Sequence, residues 1–104
     1  MKILIAADME GISGVTNVAH TQPGNDEYTR FRSLMTADVN AAIEGAFQGG
    51  AQEIVVTDGH HNGLNILMEE LDRRVRLNAG LVSPYAMIEG IQHGVDAALF
   101  IGYH

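Results

Sequence analysis

The chain has 104 residues, of which 13 are Asp or Glu and 6 are Lys or Arg, and its formal net charge is −7. It contains five His and no Cys, which excludes a disulfide scaffold and a cysteine-ligated zinc site and leaves carboxylates and imidazoles as the strong metal ligands. This length favours one domain, residues 1–104, and the acidic balance argues against a nucleic-acid partner.

The first predicted element is a strand over residues 2–8, a continuous apolar run ended by an acid. Such a run is typical of a strand that is buried on both faces of a parallel sheet. Asp8 also stops the run short of the roughly 7 to 15 apolar residues of a signal-peptide core, and no other run approaches the ~20 residues of a membrane span. We therefore expect a cytoplasmic location and no membrane partner.

A long amphipathic helix is predicted next. Apolar side chains recur at spacings of three and four over residues 28–47, which is the spacing of one helix face. Asn25 or Asp26 can cap the start of this helix, and Gly49 with Gly50 supplies a left-handed stop.

The remaining predicted elements are shorter. Ser83 followed by Pro84 places a capping residue before a proline at the first helical position. In chain order the elements are a buried strand over residues 53–58, two short helical turns within 64–71, a brief strand near a sheet edge at 75–77, a short helix over 83–91 and a buried strand over 97–101.

Strands that alternate with helical segments indicate an α/β fold. We predict a doubly wound, mostly parallel sheet with right-handed crossovers, in three α/β/α layers. Because the last predicted strand runs directly to His104, with no helix after it to cover the sheet, we also expect a truncated, N-terminal part of a longer fold. Ligands bind such sheets outside the carboxyl ends of the strands.

Metal-capable side chains follow three of the predicted strands at this edge. Asp8 and Glu10 follow the first strand, Asp58 ends the second and His60 comes two residues later, and His104 follows the last. Two carboxylates that lie together without a cation repel each other, and a divalent ion removes this cost. We therefore predict a metal centre at this edge, with Asp8 best placed to bridge two ions.

The roles of the residues next to the predicted metal centre are less narrowly determined by the sequence. Asp58 is interpreted as an outer carboxylate, because imidazole ligands usually donate their second nitrogen to a carboxylate or a carbonyl. His61 is a metal ligand, a substrate contact or a surface residue, and His20 and His93 are expected to be exposed to solvent. Three glycines allow sharp turns beneath these groups, namely Gly11, Gly14 and Gly59.

The motifs behind the strands resemble those of a known family in their order and spacing. They are Asp8-Met9-Glu10-Gly11-Ile12-Ser13-Gly14, Asp58-Gly59-His60 and Gly102-Tyr103-His104. The first string is specific, whereas Gly-Tyr-His alone is not. Along all 104 residues the sequence resembles the N-terminal portion of the zinc-dependent D-aminopeptidases of the dipeptide-permease operon type.

This resemblance implies a metallopeptidase that hydrolyses short peptides with an N-terminal D-amino acid. It implies that Asp8 bridges two Zn²⁺ ions per subunit, that Glu10, His60 and His104 complete most of the ligand set, and that the protein is a ring-shaped homo-oligomer. The family also uses a further carboxylate ligand and a catalytic histidine that fall beyond His104. No catalytic residue is therefore assigned here, and the 104-residue chain is expected to be catalytically deficient.

Two other functions stay open from the residues alone. A metal-dependent phosphoesterase would use the same Asp-rich strand ends, although few Arg and Lys lie near them to hold a phosphate. A non-catalytic, metal-stabilised oligomerisation domain would bind metal and assemble without hydrolysing a peptide.

Overall fold

A sheet of four parallel strands is described by a computed structural model of residues 1–80 and 83–104. The strands are β1 (Lys2–Ala7), β2 (Glu53–Asp58), β3 (Arg76–Asn78) and β4 (Ala97–Ile101). Their order across the sheet is β3-β2-β1-β4, so the chain moves away from β1 in one direction and then returns to its other side. The predicted α/β class with a parallel, doubly wound sheet is confirmed.

One long helix, α1 (Tyr28–Gln48), covers one face of the sheet. Phe31, Met35, Val39 and Ile43 follow one another at intervals of four and are buried against the strands. Each buried side chain of this kind contributes roughly 1.5–3 kcal/mol of transfer free energy. Among the helices of the described residues, none combines the length and the apolar character that crossing a membrane requires.

The ends of α1 differ from the prediction in detail. Asn25 accepts a hydrogen bond from the backbone N–H of Glu27 at 2.9 Å, so it caps the turn before the helix, and Glu27 at the N-cap position makes no side-chain cap bond. At the other end Gly49 keeps a helical conformation, with φ −78°, and Gly50 adopts the left-handed one, with φ +104°. Only Gly50 of the two glycines therefore has the left-handed conformation predicted to end the helix.

The opposite face of the sheet is covered by residues 83–94. Thr57 donates its hydroxyl to the Glu89 carbonyl at 2.6 Å, and a Cβ on Gly90 would lie only 3.4 Å from the Leu4 side chain. The predicted helix over 83–91 is wrong, because only a 3-10 helix, Ala86–Ile88, forms before the chain turns to make these contacts. The third layer is thus a short turn and loop.

The segment after β2 also contains less helix than predicted. The two helical turns expected within 64–71 reduce to a single turn, in which Leu71 N donates to Leu67 O at 3.0 Å. Asn65 N and Ile66 N donate to the Asp58 carboxylate instead of to a helical carbonyl. These side-chain bonds hold the backbone in a loop.

The two ends of the sheet are formed by β3 and β4. The expectation of an edge position for the brief third strand is confirmed. β4 spans the predicted residues 97–101, but the predicted burial of this strand is wrong, because Leu99 and Phe100 are 37% and 53% exposed. Among the described residues β4 pairs with β1 alone, so its side chains meet fewer partners than those of β1.

Candidate metal centre

Loops leave the carboxyl ends of β1, β2 and β4 side by side. The backbone N–H of Asp8, directly after β1, donates to Ile101 O in β4 at 2.8 Å. The N–H of Gly59, directly after β2, donates to Ala7 O at 2.7 Å. These bonds extend the parallel ladders by one step and bring three loops from distant parts of the sequence to one place.

Glycine is required where the β1 and β4 loops cross. Gly11 N donates to Gly102 O at 2.8 Å, and a Cβ on Gly11 would lie 2.6 Å from that same oxygen. Gly102 has φ +72°, and a Cβ there would overlap the backbone oxygen of Asp8. Gly59 is similarly confined, since its Cβ would lie 2.9 Å from Ala7 O. At Gly11 and Gly59 glycine is thus required by the close approach of another backbone segment, whereas Gly14 has the left-handed conformation of a sharp turn, with φ +94°.

The carboxylate of Asp8 lies between two imidazoles. Its Oδ1 is 3.0 Å from His60 Nδ1, and its Oδ2 is 3.4 Å from His104 Nε2. Asp8 and His60 are buried, whereas the side chain of His104 is 61% exposed. Each Asp8 oxygen thus has its own nitrogen neighbour, which suits a carboxylate that offers one oxygen to each of two ions.

The carboxylate of Glu10 faces the same two nitrogens. Its Oε2 lies 3.2 Å from His60 Nδ1 and 3.5 Å from His104 Nε2. This oxygen is buried and, within the part of the chain that the structure describes, makes no hydrogen bond. A buried acceptor without a partner is costly, and a cation between these groups would satisfy it.

The donor set fits Zn²⁺. Asp8, Glu10 and His104 each offer one ligand atom within 4.8 Å of the others, and His60 contacts both carboxylates. Zinc binds imidazole nitrogen and carboxylate oxygen, and tetrahedral ligands about 2.0–2.1 Å from the ion lie about 3.3 Å from one another. The four nitrogen–oxygen separations here range from 3.0 to 3.5 Å.

The close carboxylates alter two pKa values. Burial lowers the pKa of His60, but hydrogen bonds to Asp8 and to the Thr21 carbonyl, with the charge of Glu10, outweigh this effect and raise the pKa to about 9. Burial raises the pKa of Asp8, yet its hydrogen bonds, the one with His60 first among them, bring it below its ordinary value. Without a metal, a proton on His60 therefore balances part of the carboxylate charge at neutral pH.

A backbone carbonyl holds the second nitrogen of His60. Nε2 lies 2.7 Å from Thr21 O, and a carbonyl can only accept, so Nε2 carries a hydrogen. Nδ1 is therefore the atom that faces the carboxylates. Sequence reasoning anticipated a carboxylate or carbonyl partner for an imidazole ligand but missed Thr21, because no pattern in the chain links that residue to His60.

Asp58 contacts the loop that carries His60. Its carboxylate accepts hydrogen bonds from the backbone of Asn65 and Ile66 at 2.6 and 2.7 Å, and the backbone N–H of His60 approaches it at 3.4 Å. The fully buried Asn65 also donates from Nδ2 to the His60 carbonyl at 2.5 Å. Asp58 thus supports the His60 backbone while Thr21 contacts the ring, and Asn65 is a supporting residue that sequence reasoning missed.

The other three histidines lie outside this group. His61 is exposed, has φ +51°, and places its ring centroid 6.2 Å from that of His60. His93 is exposed, as predicted. The prediction that His20 is exposed is wrong, because its partly buried ring stacks on Phe31 with 4.5 Å between centroids.

Comparisons with known proteins agree on one family. A family model described as D-aminopeptidase matches residues 1–104. The D-aminopeptidase of Bacillus subtilis (strain 168) is 38% identical over 104 residues, which cover 100% of this chain and 38% of that protein.

A solved structure is also similar to this chain. It is described as the Zn-dependent D-aminopeptidase DppA from Bacillus subtilis, a self-compartmentalizing protease, and it matches with a TM-score of 0.96 and 38% identity. The match covers 100% of this chain and 38% of that one. The chain therefore spans 38% of the length of the relatives described here.

Proposed function

The chain belongs to the D-aminopeptidase family, and from that membership we propose that it carries a di-zinc centre for the hydrolysis of short peptides with an N-terminal D-amino acid. The zinc dependence of the similar Bacillus subtilis protein supports the choice of metal. The observation that carries the proposal is the position of Asp8, whose two oxygens face two different imidazoles.

In the proposed centre Asp8 is the bridging ligand. His60 Nδ1 would bind the ion next to Asp8 Oδ1, and His104 Nε2 would bind the ion next to Asp8 Oδ2. Glu10 Oε2 is close to both nitrogens and supplies the second negative charge. The two carboxylates would thereby offset two of the four positive charges of the ions.

Bound zinc would supply the Lewis acidity that polarises the scissile carbonyl of a peptide. The chain contributes the rigid placement of the donors, because Asp8 and His60 are buried and the loop crossing at Gly11 and Gly102 fixes the distance between β1 and β4. A net charge of −7 favours the approach of the protonated amino terminus of a peptide.

The proposal is tested with a matched pair of dipeptides, D-Ala-Ala and L-Ala-Ala, assayed with and without a chelator on a protein extended to the length of its relatives, because the 104-residue chain is expected to be catalytically deficient. We expect faster hydrolysis of the D-peptide, loss of activity after zinc is removed, and recovery when zinc is restored. Metal analysis should give two zinc ions per chain. Preference for the L-peptide, or activity that survives metal removal, would refute the proposed function.

The same assay separates the other two functions. Release of phosphate from a generic phosphoester, without peptide hydrolysis, would favour a phosphoesterase. Zinc binding and assembly of the extended protein without any hydrolysis would favour a non-catalytic oligomerisation domain. The 104-residue chain should hydrolyse the D-peptide far more slowly, per mole, than the extended protein. Comparable rates would contradict the predicted need for a further carboxylate ligand and a catalytic histidine.

We also propose a ring-shaped homo-oligomer in the cytoplasm. The self-compartmentalizing protease that this chain resembles supports the assembly. Sedimentation of the purified protein would give the number of subunits. A single monomeric species at micromolar concentration would contradict the proposed homo-oligomer.

Zinc affinity should rise with pH below pH 9, because zinc must displace the proton from His60. The pKa of His60 is about 9 and that of Asp8 lies below its ordinary value, so His60 is the group of this pair that carries an exchangeable proton at neutral pH. Displacement of one proton strengthens apparent binding about tenfold per pH unit. Titrations between pH 6 and 8 measure this slope in the wild type and in His93→Asn, which should share it, and a flat profile would contradict the prediction.

A further inference from the structure

We propose that Thr21 is a positioning residue for the metal centre, because the 3-10 helix Val18–Thr21 presents its last carbonyl to His60 and thereby directs Nδ1 of that ring at Asp8 and Glu10. The inference rests on the proposed function in that it assigns His60 as a zinc ligand. The contact itself joins residues that lie 39 positions apart in the sequence.

The carbonyl of Thr21 distinguishes between two orientations of the His60 ring. The second side-chain torsion of histidine is broad, so the ring can rotate by half a turn at little intrinsic cost. Such a rotation would place carbon atoms where both nitrogens now lie. It would break the 2.7 Å bond from Nε2 to Thr21 O and remove Nδ1 from its 3.0 Å contact with Asp8. The Thr21 bond therefore favours the orientation that points a nitrogen at the carboxylates.

The carbonyl is held in place by bonds inside the 3-10 helix. Thr21 is fully buried, and its hydroxyl donates to Val18 O at 2.7 Å. Asn17 caps the helix, since its side chain accepts from Ala19 N at 2.9 Å. The hydroxyl of Thr21 and the cap act on opposite ends of one turn and fix the direction of its last carbonyl.

The 3-10 helix is also fastened to the core. His20 stacks on Phe31 with an angle of 11° between the ring planes. Phe31 is a buried residue of α1, which packs on the strand face below the centre. The position of Thr21 relative to β1 and β2 is thus set by core packing, which explains how an irregular loop can orient a metal ligand.

The experiment replaces Thr21 by Val, which keeps the branched shape and removes the hydroxyl, and by Ser, which keeps the hydroxyl. Thr36→Val is the control, because Thr36 is also fully buried and donates its hydroxyl to the Arg32 carbonyl at 2.9 Å, while the same hydroxyl accepts from Leu67 N at 3.0 Å. Two quantities are measured: the exchange of the His60 Nε2–H with solvent by NMR in metal-free protein, and the zinc affinity by competition with a chelator.

We expect Thr21→Val to accelerate the exchange of this proton, because the carbonyl of residue 21 is no longer held in direction by the hydroxyl. Zinc binding should weaken by up to about 10- to 100-fold, the usual effect of losing a partner of a metal-ligating histidine altogether. Thr21→Ser keeps the hydroxyl, so its exchange rate and its zinc affinity should be close to those of the wild type. Thr36→Val should lower stability and leave both quantities unchanged.

If Thr21→Val lowers stability as Thr36→Val does, with exchange and zinc affinity unaltered, the positioning role is refuted. If the wild type binds no zinc, the proposed function fails. The exchange measurement needs no metal, so it decides on the Thr21 contact separately from that failure.

Discussion

Asp8→Asn should reduce zinc affinity more than any other single substitution in the centre, by more than the roughly 100-fold that loss of an outer partner costs. The substitution removes one negative charge and leaves a single oxygen where two now face His60 and His104. An amide cannot offer an oxygen to each of two ions. Competition titration with a chelator gives the affinity, and metal analysis should show fewer than two zinc ions per chain.

Glu10→Gln is the informative comparison for this prediction, because it removes the same charge from the same place and is not proposed to bridge. It should weaken binding less than Asp8→Asn. Asp26→Asn removes an exposed carboxylate in the loop before α1 and should leave zinc affinity unchanged. Equal losses in the Asp8 and Glu10 variants would show that Asp8 does not bridge.

Gly102→Ala should lower the free energy of unfolding by about 2 to 5 kcal/mol, the sum of a left-handed backbone penalty and an overpacking penalty. Gly102 has φ +72°, and a Cβ there would also meet the Ile12 side chain at 2.7 Å. Relief of this overlap requires the β1 and β4 loops to separate, which would move His104 away from Asp8. Urea unfolding measures the first effect and zinc titration the second.

Gly24→Ala is the matched control, since Gly24 has φ +93° and nothing lies within 4 Å of the position of its Cβ. It should lose only the conformational part, about 1–2 kcal/mol, and keep the zinc affinity of the wild type. If the two variants were equally destabilised, the close approach of the loops would have no energetic importance.

The elements that could be predicted from the sequence are those whose own pattern decides their structure. The apolar spacing along α1 and the continuous apolar runs of β1 and β2 are strong local signals. The segments over 64–71 and 83–91 could not be predicted, because contacts with other parts of the chain override their local preference. Asp58 takes the N–H groups of Asn65 and Ile66, and the Glu89 carbonyl reaches across to Thr57.

The candidate site likewise contains groups that the sequence predicts and one group that it does not. The expectation that Asp8, Glu10, His60 and His104 lie together follows from one rule, that parallel strands end at one edge of the sheet. The carbonyl of Thr21 could not be predicted, because every residue has a carbonyl and only the folded loop shows which one reaches His60. Backbone groups carry no sequence signal of their own.

A bound metal would also have a mechanical role. β1 and β4 pair in parallel, and the loops that follow them carry Asp8 and His104. An ion shared by these two side chains would cross-link the two loops, in addition to the backbone hydrogen bonds that already join them. Ligand binding stabilises the state that binds, by about 2.7 kcal/mol at a hundred times the dissociation constant. Separation of the two loops would then require release of the ion, so the side chains proposed to hold metal would also oppose local unfolding at this end of the sheet.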